Sequence, residues 1–533
     1  MLSPDYSFPD GFPYHSQRMP VMAKNMVATS QPLAVQAGIR ALQDGGNAVD
    51  AALATAITLA VVEPVSNGIG SDAFALVWDG RQLHGLNASG RMAAAVSPDD
   101  YSGQEEMPMY GWQAVTVPGA VSAWVALSQR FGALPFPRLF ENAVEYARNG
   151  YTVSPIVARA WAAADPEQVA QEGHHHFRPE GKPPRAGQLF RFPEQADTLE
   201  SIAASGGESF YRGALAEAMV ASSARAGWKY SMTDFANHQA DWVAPIQQEY
   251  GDITLHEIPP NGQGLAALLV LGILRQHDLR RYPRDSVDSV HLQVEAMKLA
   301  LADAWRYIAD PASMDVSVEE LLGDDYLASR AALIAMDEAR FPEHGFPNRG
   351  GTVYLSTADQ SGMMVSMIQS NYAGFGSGLV VEGTGITLQN RGAGFNLVPG
   401  HPNQVGGGKR PFHTIIPGFV TRAGKPEMSF GVMGGSMQAQ GHAQMIIRIY
   451  DYGQNPQAAS DAPRWRVLED LDLHLEPGFD PDVVAELVHR GHRLYHGEAD
   501  EEFGFGGAQL ILRTGDHYVG GSDHRKDGMV AGY

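Results

Sequence analysis

The sequence predicts a mixed helix-and-sheet protein of the α/β (α+β) class. Helical periodicity runs through most of the first half, whereas strand-like alternation broken by tight turns dominates after residue 351. No internal repeat of roughly 20 to 50 residues is present, which sets solenoids and propellers aside.

Taken in order, Ser30 and Pro32 read as an N-cap and first-turn proline. Leu33, Val35, Ile39 and Leu42 then share one helical face until Gly45-Gly46 stops the helix. Asn47 and Asp50 have the spacing of a capping pair for a second helix over 48–62, apolar nearly all round and therefore buried. The turn-rich 66–72 stretch leads into strands over 73–78 and 82–87, separated by Asp79-Gly80. Further helices are predicted over 120–131, 137–149, 213–226 and 287–308. Residues 335–351 carry no sustained period and several breakers, which predicts an exposed segment. After it come a strand over 352–358, the turn Asp359-Gln360-Ser361-Gly362, and a strand over 363–370.

The 533 residues, 44% hydrophobic and 18% charged, are enough for several domains or one large layered one. There is no cysteine, so disulfides, thiolate metal sites and a cysteine nucleophile are excluded. The first 24 residues do not read as a secretory signal, and the longest apolar stretch, 51–62, is too short to span a bilayer. Cytoplasmic residence without a membrane span is the expectation. A net charge of −22 argues against nucleic acid as a partner, because a phosphate backbone demands a basic surface.

Three motifs carry less than they suggest. His174-His175-His176 lacks a carboxylate at zinc-site spacing. Gly406-Gly407-Gly408-Lys409-Arg410 lacks the Ser or Thr that follows the lysine of a phosphate loop. Met363, Met364 and Met367 read as core filling.

A glycine pair before Thr352 at a strand start says little alone. Around it, however, stand GNAVDAA (46–52), VPGA (117–120), GFGSG (374–378), KRP (409–411), Gly434-Gly435-Ser436 and the ending DGMVAGY (527–533). Together, in order and spacing, these resemble the gamma-glutamyltransferase family over 26–533. The resemblance implies a four-layer αββα sandwich of the N-terminal nucleophile hydrolase type. It also implies a precursor that cuts itself between Gly351 and Thr352 into a large chain, 1–351, and a small chain, 352–533, that stay together and could assemble further into oligomers. Thr352 then serves as nucleophile, with its freed α-amine as base. An α-amine with a reference pKa of roughly 8 can accept the hydroxyl proton near neutral pH. Gly434 and Gly435 match the oxyanion hole, and Ser370 falls where a second threonine is usual. No cofactor or metal is called for.

The sequence departs from the family's glutamate clamp. The usual arginine aligns with Gly90, beside Arg91, and the usual aspartate aligns with Gly394. The serine pair aligns with His413-Thr414, an asparagine with Tyr372 beside Asn371, and a glutamine with Arg391. Without the aspartate a substrate ammonium would be buried unpaired, at a cost of several kcal/mol. A small amide bearing a carboxylate and no α-amine is therefore expected, with Arg91, Asn371, Tyr372, Arg391, His413 and Thr414 as candidate binding groups. The loop 396–408 is shorter than the lid of glutathione-cleaving relatives, which favours hydrolysis over transfer. Within the family, oxamate hydrolysis of purine catabolism fits these features first. Gamma-glutamyl hydrolysis or transfer and cephalosporin (glutaryl) acylase activity are the alternatives, with an unprocessed binding or scaffold protein as the non-enzymatic one.

Overall fold

A computed structural model describes residues 17–342, 351–468, 470–496 and 504–533. Its strands, in chain order, are Val21–Ala23 (β1), Met26–Thr29 (β2), Asp72–Trp78 (β3), Leu83–Ala88 (β4), Asp241–Val243 (β5), Ile246–Tyr250 (β6) and Ile253–Glu257 (β7). They continue with Gly351–Ala358 (β8), Met364–Tyr372 (β9), Gly418–Arg422 (β10), Lys425–Met433 (β11), Gly507–Thr514 (β12), His517–Ser522 (β13) and Met529–Gly532 (β14). These form two seven-stranded antiparallel sheets, ordered β14-β2-β8-β9-β3-β4-β5 and β1-β13-β12-β11-β10-β7-β6.

Side-chain alternation explains how the sheets stack. Phe74, Leu76 and Trp78 of β3 meet Phe419, Met433 and Ile511 between the sheets, while Ala73, Ala75 and Val77 face the opposite way. On that outer face lie helices α1 (Pro32–Gln43), α2 (Ala48–Val62) and α3 (Ala120–Phe131). The second sheet carries α4 (Gly264–Leu274), α5 (Val287–Tyr307) and α6 (Met437–Ile446) on its own outer face, packed on Leu255, Val420 and Phe430. Helices, sheet, sheet, helices is the expected four-layer αββα order.

The Asn47–Asp50 capping box forms, and all fifteen residues of α2 are buried. At α1 the expected cap is corrected. Gln31, not Ser30, accepts the Leu33 and Ala34 N–H groups, because the Ser30 hydroxyl donates to Glu63 at 2.5 Å. The expected exposed segment 335–351 lies partly outside the described residues, Gly350 included.

The first half supplies more strand than its periodicity predicts. β8 lies between β2 and β9, and β9 lies beside β3, so strands from before and after residue 351 interleave in one sheet. Next to β2 the chain end closes the sheet. The Tyr533 main-chain oxygen accepts the Lys24 and Asn25 N–H groups at 3.1 and 3.0 Å, and Tyr533 N–H donates to Asn25 at 3.1 Å. No helix among the described residues is long and apolar enough to cross a membrane.

Candidate active site

Thr352 sits where the β8–β9 pairing shifts register, between the Gly351–Tyr372 and Val353–Gln369 pairs. It is fully buried, and its Oγ lies 3.1 Å from the Ser370 hydroxyl. Ser370 also accepts the Tyr372 N–H at 2.8 Å and an Arg391 Nη2 hydrogen at 3.3 Å. The second Arg391 arm donates to the Thr414 hydroxyl at 2.9 Å, and the guanidinium stacks 4.4 Å from the Tyr372 ring centre. One guanidinium therefore touches three of the expected site residues at once.

Arg391 is completely buried, and its Nε–H has no hydrogen-bond partner among the described residues. Burial lowers its pKa to about 10, opposed by Asp72, whose own carboxyl burial raises to about 7 against the pull of Arg391. Asp72 stands directly opposite Ser370 across the β3–β9 pair. It accepts the Gly119 N–H at 3.2 Å and lies 3.1 Å from His413 Nε2.

On the other side of Thr352 is the turn into α6. Gly434 and Gly435 take φ of 123° and 60°, a region that side chains avoid. The Gly434 carbonyl accepts the Met437 N–H at 3.0 Å, so the N–H of the same trans peptide, that of Gly435, points away from the helix. Gln263 donates to the Gly435 carbonyl at 2.8 Å and holds the turn from behind. From the first turn of α6, Gln438 Nε2 reaches the Thr352 hydroxyl at 3.4 Å.

Three expected binding residues do not serve as cationic or donor groups at Thr352. Arg91 is half exposed, donating to the Gly408 carbonyl at 3.1 Å with Asp310 at 3.4 Å. His413 offers no positive charge, because burial, with Arg391 and Arg410 nearby, keeps its pKa well below the usual histidine value. Asn371 faces the other side of its strand, where its Oδ1 accepts the Ser71 hydroxyl at 2.8 Å. The sequence reading missed Asp72, Gln263 and Gln438, each tied to the site by contacts remote in sequence.

The profile of the family described as Gamma-glutamyltranspeptidase matches residues 34–533. The chain belongs to that family. It is 36% identical over 520 residues to a glutathione hydrolase-like YwrD proenzyme of Bacillus subtilis, covering 96% of this chain and 98% of the relative. It is also 36% identical to the oxamate amidohydrolase proenzyme of Klebsiella pneumoniae, covering 96% and 99%. Among solved structures, a cephalosporin acylase from Bacillus halodurans superposes with a TM-score of 0.93 at 47% identity, covering 99% of each chain. The protein is thus an amide (C–N) hydrolase of an autoprocessing N-terminal nucleophile family.

At two glycines that the sequence reading set against family binding positions, this backbone leaves no room for a side chain. A Cβ on Gly90 would lie 1.7 Å from the Val117 carbonyl oxygen, so no side chain fits there. A Cβ on Gly394 would lie 2.5 Å from the Phe412 carbonyl oxygen, which closes that position to a side chain as well. Beyond Tyr372 and Gly394 opens a cavity of about 620 Å³ with a mixed lining, in which Met107, Trp305, Phe395 and Phe412 stand beside Glu105, Glu106 and Asp165.

The other motifs serve the fold. His174 Nδ1 donates to the Gly378 carbonyl, and burial lowers its pKa to about 4. Lys409 donates to the Pro402 and Gln404 carbonyls, closing its own loop. One group of possible metal ligands, His291, Glu295 and His492, is found among the described residues. The Lys298 ammonium already stands in it, 2.9 Å from Glu295 and 3.4 Å from His492 Nδ1. His291 Nε2 must donate to the Ala335 carbonyl at 2.7 Å, so its Nδ1 accepts from His492 Nε2 at 2.8 Å. Lys298 also donates to the Arg340 carbonyl and Glu295 accepts the Arg340 N–H. The group therefore grips residues 335–340, just ahead of the proposed cleavage point.

Proposed function

We propose that the chain cleaves itself between Gly351 and Thr352 and then hydrolyses the amide of a small carboxylate-bearing acyl group, with oxamate to oxalate and ammonia as the first substrate. The Thr352 hydroxyl adds to the Gly351 carbonyl, and an N-to-O acyl shift followed by hydrolysis frees the α-amine of Thr352. That amine then takes the hydroxyl proton as Oγ attacks the substrate carbonyl. The Gly434 and Gly435 N–H groups receive the developing oxyanion. The proton passes to the departing amine, and water releases the acid from the acyl-threonine.

The observation that supports this substrate class is Arg391, a buried guanidinium with an unused N–H beside Ser370 and Thr414. Arginine grips carboxylates through paired hydrogen bonds, and a buried donor without a partner favours an arriving acceptor. The blocked Gly394 position weighs against a gamma-glutamyl α-ammonium. The interleaved strands support a large chain of 1–351 and a small chain of 352–533 that remain together.

A second reading, a bulkier acyl amide such as a cephalosporin, is favoured by the size of the 620 Å³ cavity beside Tyr372. Ammonia release from oxamate, with Thr352→Ala as the blank, tests the first reading. Release by the wild type alone supports it. No release, with turnover of a glutaryl amide, moves the assignment to the second. A Thr352→Ala protein that is still cut in two overturns the nucleophile, and a wild type that stays in one piece points to a binding protein.

A further inference from the structure

Gln438 is fully buried on the first turn of α6, two residues beyond the Gly434-Gly435-Ser436 turn. Its carboxamide orientation is fixed by chemistry. The Ile416 backbone N–H can only donate, and it meets Gln438 Oε1 at 2.9 Å. The NH₂ end therefore faces Thr352 Oγ, at 3.4 Å. An amide nitrogen cannot accept, so the Thr352 proton cannot point at Gln438. Thr352 Oγ shares its 3.1 Å hydrogen bond with the Ser370 hydroxyl, in which either oxygen can donate, and a lone pair of Oγ lies toward Gln438.

We infer that Gln438 is a further catalytic residue, a fixed side-chain donor to the nucleophile's own oxygen. This role rests on Thr352 being the nucleophile. When Oγ gives up its proton and attacks, negative charge passes through the atom that Gln438 touches. A preoriented donor stabilises that charge without reorganisation. The same contact acts a second time when water adds to the acyl-threonine carbonyl and the C–Oγ bond breaks, because Oγ then leaves with the electron pair before it is reprotonated. Gln438 moves no proton in either step. It complements the Gly434 and Gly435 N–H groups, which serve the carbonyl oxygen, by serving the other oxygen of the tetrahedral intermediate.

Self-cleavage provides an assay that requires no external substrate, since it uses the same Oγ. We expect Gln438→Leu to slow conversion of the purified precursor into two chains by roughly 10²-fold, the loss typical of one such donor. Gln438→Glu keeps the shape and the Ile416 contact, but can donate to Oγ only when protonated. It should be equally slow at pH 8 and recover at least tenfold at pH 5, a profile that a packing role would not produce. Cleavage of Gln438→Leu within threefold of wild type would overturn the inference, as would a Gln438→Glu variant no faster at pH 5 than at pH 8. If the leucine variant does not fold, judged by its melting curve, the glutamate variant carries the test alone. Thr352→Ala separates the two claims. If it too is cut, the nucleophile assignment has failed, whereas an uncut Thr352→Ala beside a normal Gln438→Leu removes Gln438 alone.

Discussion

The guanidinium of Arg391 lies 4.4 Å from the centre of the Tyr372 ring, and both groups are buried. Tyr372 holds φ of 77° to bring its ring there, and its other side faces the large cavity. The ring thus stands between the guanidinium beside Thr352 and the cavity beyond it.

Replacing Arg391 by glutamine should reduce kcat/KM for a carboxylate-bearing amide by about 10²-fold, as expected when one partner of a buried charge pair is lost. An amide of the same size with a methyl group in place of the carboxylate should change far less. Steady-state kinetics on the two substrates checks this, and equal losses on both would mean that Arg391 only supports Ser370.

Asp72 predicts a stability change with a definite sign. Its carboxyl is raised to about 7 in the folded protein from an ordinary 3.8, chiefly by burial. The folded state then binds more protons than the unfolded one between these values, and stability falls as pH rises from about 4 to 7. Asp72→Asn should flatten that decline, seen as melting temperatures that differ from wild type least at low pH.

The His291–His492 pair predicts the opposite slope. Burial depresses both, His492 to about 3, so each is neutral when folded and charged when unfolded between its folded pKa and 6.5. Their contribution is present above the unfolded pKa and is lost on acidification. Both relay bonds need an unprotonated acceptor nitrogen, while Glu295, Lys298, Arg490, Arg493 and Asp472 supply the surrounding charge. Protection of the Ala339 and Arg340 amides against hydrogen exchange, taken relative to their intrinsic rates at each pH, should fall between pH 7 and 4.5, and His492→Phe should make it low at both.

After the proposed cleavage before Thr352, the two chains should co-elute on size exclusion and separate only in denaturant. β8 of one chain pairs with β2 of the other, and Arg490 of the later chain donates to the Met336 carbonyl of the earlier one at 2.8 Å. Dissociation in mild salt would contradict the interleaving.

Much of this molecule is local enough to read from the sequence. Asn47 and Asp50 cap α2 because both partners lie within one turn, and Thr352, Ser370, Gly434 and Gly435 stand out by their place in family motifs. Arg391 was found only as a departure from such a motif. What stays hidden depends on distant pairings: Asp72 meets His413 across 341 positions, and Gln438 meets Thr352 across 86. Local pattern also fails where a distant partner orients a side chain, as Glu63 turns the Ser30 hydroxyl into a donor and Gln31 accepts the first N–H groups of the helix instead. Arg91 looked equivalent to Arg391 in the sequence, and only the fold distinguishes a half-exposed ion pair from a buried guanidinium.

The meeting of Tyr533 with Lys24 and Asn25 makes the order of the gene negotiable. A chain reordered to run 352–533, then a short linker, then 17–351, would traverse the same sheets without crossing the molecule. It would begin at Thr352, the proposed nucleophile, with the α-amine exposed as soon as the initiator methionine is removed. Such a permuted protein would be born without a dormant stage, and the chemistry of turnover could be studied apart from the chemistry of self-cleavage.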